Sequence, residues 1–211
     1  AFWQNPKLDT ETAEAGAAHF AKRQIGRLGV VGSNETTGPL IEASFARLIE
    51  ILDALIMRQG YVLGARPSSA DFALFGQLTQ LCQVEPTSYK VARHRPRVRA
   101  WVDRLEDLSG LEVEDDAWLT AKEVGPALAP LLGEVGRVYA PCLIANATAI
   151  AAGEPTFETQ IDGKVWTQDV FPYQAKCLAE IRAAYEALDA SVQAQVSEWF
   201  AGTGCEALIS E

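Results

Sequence analysis

The sequence predicts a mostly α-helical fold with one β-hairpin, and three observations carry that expectation. Apolar residues recur at three- and four-residue steps along most of the 211 residues. A lone Asp162-Gly163 pair stands between two short runs suited to strands. Helix-start chemistry precedes an apolar run at Ser68 to Asp71. With 48% hydrophobic and 22% charged residues, the chain has the composition of a globular protein with a sizeable core.

The first helix is expected over Thr10 to Leu28, where Ala13, Ala17, Phe20, Ala21, Gln24 and Leu28 fall at helical steps. The Gly, Ser, Asn and Thr residues between Gly29 and Gly38 read as a connection. Pro39 to Gln59 follows, with Leu40, Ile41, Ser44, Phe45, Leu48, Ile49, Leu52, Leu55 and Ile56 on one face. So broad a stripe belongs at the centre of a core, and Gly60 supplies the stop. Helix resumes from Ser69 to about Gln83, near Thr87 to His94, and from Pro96 to Leu108. Pro96 suits a first helical position because its missing N–H has no intrahelical partner there. Val98, Trp101, Val102 and Leu105 form the buried stripe of that last helix, which Gly110 ends.

The acidic stretch Glu112 to Asp116 marks an internal boundary, giving a helical domain over 1–110 and an acidic helical extension over 111–211, packed together as one unit. In the extension Gly125, Pro126, Pro130, Gly133 and Gly136 are expected to interrupt the helices, and Pro141 to kink the run in which Val135, Val138, Tyr139, Cys142, Leu143, Asn146 and Ile150 share a face. Thr156 to Ile161 and Lys164 to Asp169 flank the Asp-Gly turn, both of whose positions need positive φ. Helix returns with Cys177, Leu178, Ile181, Ala184, Tyr185 and Leu188, and a final one spans Ser191 to Phe200 before Gly202 and Gly204.

Charge is unevenly divided. Of a net charge of −10, residues 1–110 carry 13 basic and 12 acidic groups and residues 111–211 carry 5 and 16. The basic residues Lys90, Arg93, His94, Arg95, Arg97, Arg99 and Arg104 are therefore expected to pair with the acidic half rather than with phosphate, and no nucleic-acid partner is expected. The longest apolar stretches, such as Leu48 to Met57, are broken by charges, so no membrane span is expected either. Cys82, Cys142, Cys177 and Cys205 lie far apart, with no CxxC pair and no histidine at metal-ligand spacing. This pattern argues for no metal site and for a reducing, cytoplasmic setting, with Cys142 and Cys177 acting as small hydrophobes. The opening Ala1, Phe2, Trp3 has no initiator methionine and presents two large apolar groups that want cover, as expected of a processed or truncated chain.

Ser68-Ser69-Ala70-Asp71 has the spacing of a capping box, in which the serine hydroxyl and the third-position carboxylate satisfy each other's free backbone amides. Pro67 and Phe72 occupy the flanking staple positions, and loss of such a cap costs about 1 kcal/mol. Boxes are common, but here the surrounding segment YVLGARPSSADFALFGQL over 61–78 is followed by RPRVRAW over 95–101. Together these resemble the helical C-terminal domain of glutathione transferases over about residues 10–110. The hairpin and acidic helices beyond are similar to an extension seen in some bacterial members. The resemblance implies a bundle in which Ser68 and Asp71 are structural. In that family the catalytic Tyr, Ser or Cys and most glutathione contacts lie in an N-terminal thioredoxin-like domain, and no such strand–helix alternation precedes residue 10 here.

Four residues stand as substrate-pocket candidates. His19 and Arg23 share the polar face of the first helix, which in the resembling family borders the cleft between the two domains; they could address an anionic ligand, although amphipathicity favours a solvated helix face. Asn146 lies on an otherwise apolar stripe and needs a polar partner, either backbone near the hairpin or a ligand. Tyr173 sits with Trp166, Gln168, Phe171, Gln174 and Lys176 at the hairpin exit. No nucleophile with a base partner is identifiable, so no catalytic residue is expected. The resemblance implies glutathione as cofactor, a thioredoxin-like half that supplies transferase activity, and homodimers. The alternative is a non-catalytic binding or assembly module of the same fold.

Overall fold

The computed structural model describes residues 5–210; Ala1, Phe2 and Trp3, expected to want cover, lie outside that range. Among the described residues the chain is mostly helical with one two-stranded antiparallel sheet, as the periodicity predicts. Helix α1 spans Thr10–Ile25, started by Asp9, whose carboxylate accepts from the Thr12 amide at 2.8 Å. That hydrogen bond lowers the Asp9 pKa from the ordinary carboxylate value. A short 3₁₀ turn, Leu28–Val31, follows. The expected apolar stripe of α1 is not covered: Ala13 alone is buried, and Phe20 and Leu28 are 57% and 49% exposed.

Helix α2, Gly38–Gln59, is the central element, burying Leu40, Ile49, Leu52 and Leu55. Around it stand α3 (Ser69–Thr79), which ends in a π-type turn over Gln80–Val84, α4 (Pro86–Ala92) and α5 (Pro96–Leu105). Val98, Trp101, Val102 and Leu105 of α5 are all buried, in one cluster with Ile49, Leu52 and Leu78. Phe72, expected to be covered at its staple position, is instead 50% exposed; α3 buries Asp71 and Leu78, with Leu74 and Phe75 partly packed.

The extension corrects two expectations. Residues Ala121–Ala152 form one unbroken helical run: α6 (Ala121–Glu134), a π-type turn over Val135–Tyr139, and α7 (Ala140–Ala152). Pro126 and Pro130 lie inside α6 on its exposed side, where water can satisfy the carbonyls they leave without donors. Pro141 lacks the N–H that a regular turn would use, and the ladder shifts just before it, the Ala140 amide donating to the Val135 carbonyl. The run starts at a second capping box, with the Thr120 amide and hydroxyl donating to Glu123 at 2.8 and 2.7 Å. Those bonds lower the Glu123 pKa. The run is 32 residues long and holds an 18-residue window of mean hydropathy 1.3, so by length and composition alone it could cross a membrane, which the broken apolar stretches did not suggest. Near its middle, however, Glu134 is held by Arg47 of α2, and the hairpin packs on α7.

Strands β1 (Thr156–Ile161) and β2 (Lys164–Asp169) pair in register Ile161↔Lys164, with Asp162 and Gly163 at φ 50° and 71°, as the Asp-Gly turn requires. Helices α8 (Pro172–Glu186), α9 (Ala190–Phe200) and the short α10 (Glu206–Ile209) complete the chain. Among the described residues the basic helices do not pair with the acidic half. Arg95 and Arg97 bridge to Glu50 and Asp53 of α2 at 3.5 and 2.8 Å, Arg99 stacks over Tyr89, and Arg104 over Tyr61. The charges that do cross between halves are Arg66 to Asp115 and Arg47 to Glu134 and Asp162.

Candidate functional site

The four pocket candidates fall in two places. His19 and Arg23 lie on α1, exposed, and neither makes a hydrogen bond or ion pair among the described residues. Beside them run the bare apolar side chains Phe20 and Ile25, continued by Leu28, Val30 and Val31 of the 3₁₀ turn, each between 49% and 66% exposed. Exposed apolar side chains gathered on neighbouring segments are a surface signature of something that docks or binds there.

Asn146 is fully buried on α7, and both ends of its amide serve the backbone of Phe171: Nδ2 donates to the Phe171 carbonyl at 3.0 Å, and Oδ1 accepts the Phe171 amide at 2.7 Å. This pair fixes the exit from β2 into α8. Tyr173, the second residue of α8, is 69% exposed. Neither residue lines the cleft of about 230 Å³ that opens beside Phe171 and Gln174. Its walls are Val30 and Val31 from the 3₁₀ turn, Val138, Tyr139 and Cys142 from the π turn and α7, and Trp166 from β2. Gln168, Phe171 and Gln174 close the remaining side.

These walls are built by the loop that follows α1. Gly32 has φ 75° and lies against the Trp166 indole; a Cβ there would stand 2.6 Å from the ring, so only glycine allows the approach. Buried Thr37 fixes the loop, its hydroxyl donating to the Gly32 carbonyl while accepting the Asn34 amide at 2.9 Å. The indole N–H donates to the side-chain oxygen Oε1 of Gln168 at 3.2 Å. The cleft residues thus come from segments far apart in sequence. Val138, Tyr139 and Cys142 share the predicted stripe with Asn146, and Trp166, Gln168, Phe171 and Gln174 belong to the predicted crowd at the hairpin exit. Val30 and Val31 fall in what read as a plain connection.

Electrostatically the cleft is inert. None of its lining residues is charged. Burial pushes the Cys142 thiol up to about 11, and desolvation, with a smaller contribution from nearby Cys177, raises Tyr139 as well. A thiol held protonated at neutral pH is not an activated nucleophile. All four cysteines are free, and among the described residues no group of His, Cys, Asp and Glu is placed to hold a metal. The arrangement can bind apolar matter; it has no acid–base pair with which to transform it.

The capping segment is a separate, structural site. The Ser68 amide and hydroxyl donate to Oδ2 of Asp71 at 2.8 and 2.6 Å, and Oδ1 of the fully buried Asp71 accepts the Val62 amide at 2.8 Å. Next to it Gly64, φ 140°, lets the chain run against Ala117, where any Cβ would collide with the Ala117 carbonyl. The Ala65 amide donates to the Ala117 carbonyl and the Leu119 amide to the Leu63 carbonyl, both at 2.8 Å.

Residues 16–104 match the family model described as the C-terminal domain of glutathione S-transferase, and this segment carries that helical domain. No curated protein and no solved structure matches the chain.

Proposed function

We propose that the chain is the helical part of a glutathione S-transferase-like protein, bordering the pocket for an apolar electrophile. The glutathione-binding, thiol-activating chemistry would be supplied by a thioredoxin-like half that these 211 residues do not include. The observation that carries this reading is the bare strip Phe20, Ile25, Leu28, Val30 and Val31, on the element that in the resembling family borders the interdomain cleft. A thioredoxin-like domain seated there would cover the strip and bring His19 and Arg23 to the edge of the shared cleft, where a cation suits the carboxylates of glutathione. Ser68 and Asp71 serve folding in this reading. Four unpaired thiols fit a reducing cytoplasm.

The absence of an activated nucleophile in the cleft favours a second reading, a binding or assembly module of the same fold. The two separate in one comparison. The purified 211-residue chain is expected to show no conjugation of glutathione to 1-chloro-2,4-dinitrobenzene and no retention on immobilised glutathione. The native gene product is expected to exceed 22.9 kDa in intact mass and to do both. Turnover by the isolated chain overturns the division of labour; a native product that neither turns over nor is retained favours the module. Its mass under non-denaturing conditions reads homodimerisation at the same time.

A further inference from the structure

We infer that the cleft between the 3₁₀ turn, α7 and the hairpin is a binding site for an uncharged aromatic molecule of about two fused rings, adjoining the surface assigned to the transferase reading, with which it shares Val30 and Val31. Size sets the upper limit: about 230 Å³ is below what a drug-sized ligand fills. Charge sets the class. No lining residue carries a formal charge, so an anionic or cationic ligand would lose its hydration without a counter-charge.

Shape and polarity narrow it further. Trp166, 7% exposed, with Tyr139 and Phe171 brings three aromatic rings to the lining, which suits an aromatic ligand. Polar capacity is sparse. The amide nitrogen of Gln168, the side chain of Gln174 and the Tyr139 hydroxyl have no hydrogen-bond partner among the described residues, and they suit one or two substituents such as a carbonyl or hydroxyl. The walls are also preformed, because Thr37 and Gly32 pin Trp166's side and Asn146 pins Phe171, so little ordering cost attends binding.

The test uses 6-propionyl-2-(dimethylamino)naphthalene, a neutral two-ring dye bearing a carbonyl, which brightens when removed from water, titrated into the full chain. Saturable brightening at one dye per chain is expected. Cys142→Phe, which fills the cleft, should weaken it at least about tenfold, while Phe20→Ser on the bare strip leaves it unchanged. Absence of saturable binding, or binding that follows Phe20→Ser and ignores Cys142→Phe, overturns the proposal. Should Cys142→Phe fail to fold, the wild-type chain still decides. Bound dye must slow N-ethylmaleimide labelling of Cys142, located by peptide mass, without altering that of buried Cys82. Equal labelling rates with and without dye reject the site.

Discussion

Asp71 shows how one side chain can hold together two stretches of backbone. Its carboxylate accepts three hydrogen bonds, two from Ser68 and one from the Val62 amide, with no exposure to solvent. Asp71→Ala would leave all three donors buried and unpaired, so its expected cost is about 3 kcal/mol, above that of an ordinary cap. Asp71→Asn should fall between wild type and alanine: the amide oxygen can serve Ser68, but the NH₂ must then face the Val62 N–H. Urea midpoints at constant m-value test this order, and an Asp71→Ala midpoint equal to wild type would contradict it. The Ser68–Asp71 spacing was legible in the sequence because a capping box is local. The bond to Val62 was not, since it depends on how the chain turns at Gly60 and Gly64. Phe72 was misread for the converse reason: a staple position predicts cover only if some element lies above it, and here none does. Asn146 was legible as a polar group needing a partner, while the partner, a backbone pair at Phe171, is set by where the hairpin returns.

At the scale of elements, glycine and proline were read as breaks where tertiary contacts make them joints. Gly136 sits in the π turn between α6 and α7, and a Cβ there would collide with the Thr203 carbonyl and stand 2.7 Å from Cα of Gly204. Two backbones therefore touch at this point, and close by the Cys205 thiol donates to the Leu132 carbonyl at 3.2 Å. Gly136→Ala is expected to push the two segments apart, costing about 2 kcal/mol and making the buried Cys205 reactive toward a thiol reagent. Gly133→Ala, one turn earlier with open space at its Cβ, should instead stabilise α6 by about 0.5–1 kcal/mol. If both glycines respond alike to alanine in thermal unfolding, the close approach at Gly136 has no energetic weight. Periodicity identified α2, α5 and the hairpin because each buries residues at a regular spacing or pairs in a regular register. It could not reveal that Gly125 lies against Trp199 or that Gly32 receives Trp166, because such glycines mark contacts with segments far away in the chain.

For the molecule as a whole, the question is whether the matched segment 16–104 can stand without the extension. Its own cluster around Ile49, Leu52, Leu78 and Val98 is closed within the first half. Other apolar residues of that half are covered from outside it: Leu40 packs with Ala149, Phe157, Ile161 and Trp166, and Leu55 and Val62 with Leu128. Polar contacts follow the same division. Arg47 grips Glu134 with Nε and Nη2 at 2.8 and 2.7 Å, Ser44 adds a bond to the same carboxylate at 2.8 Å, and paired main-chain bonds join Leu63 and Ala65 to Leu119 and Ala117. Uncovering Leu40, Leu55 and Val62 would forfeit roughly 5 kcal/mol of apolar burial, at about 1.5–3 kcal/mol for each side chain. That is comparable with the whole stability of a typical domain, about 5–15 kcal/mol. A chain cut after Gly110 is therefore expected to be expanded, to bind apolar dyes broadly, and to lack a cooperative transition, although it keeps the entire matched segment. The full chain should unfold in one step. Variants retaining only Trp101, in the first half, or only Trp166, in the second, should then report the same urea midpoint by fluorescence. Separate midpoints, or a cooperative, well-folded 1–110 chain, would mean that the shared clusters do not couple the two halves.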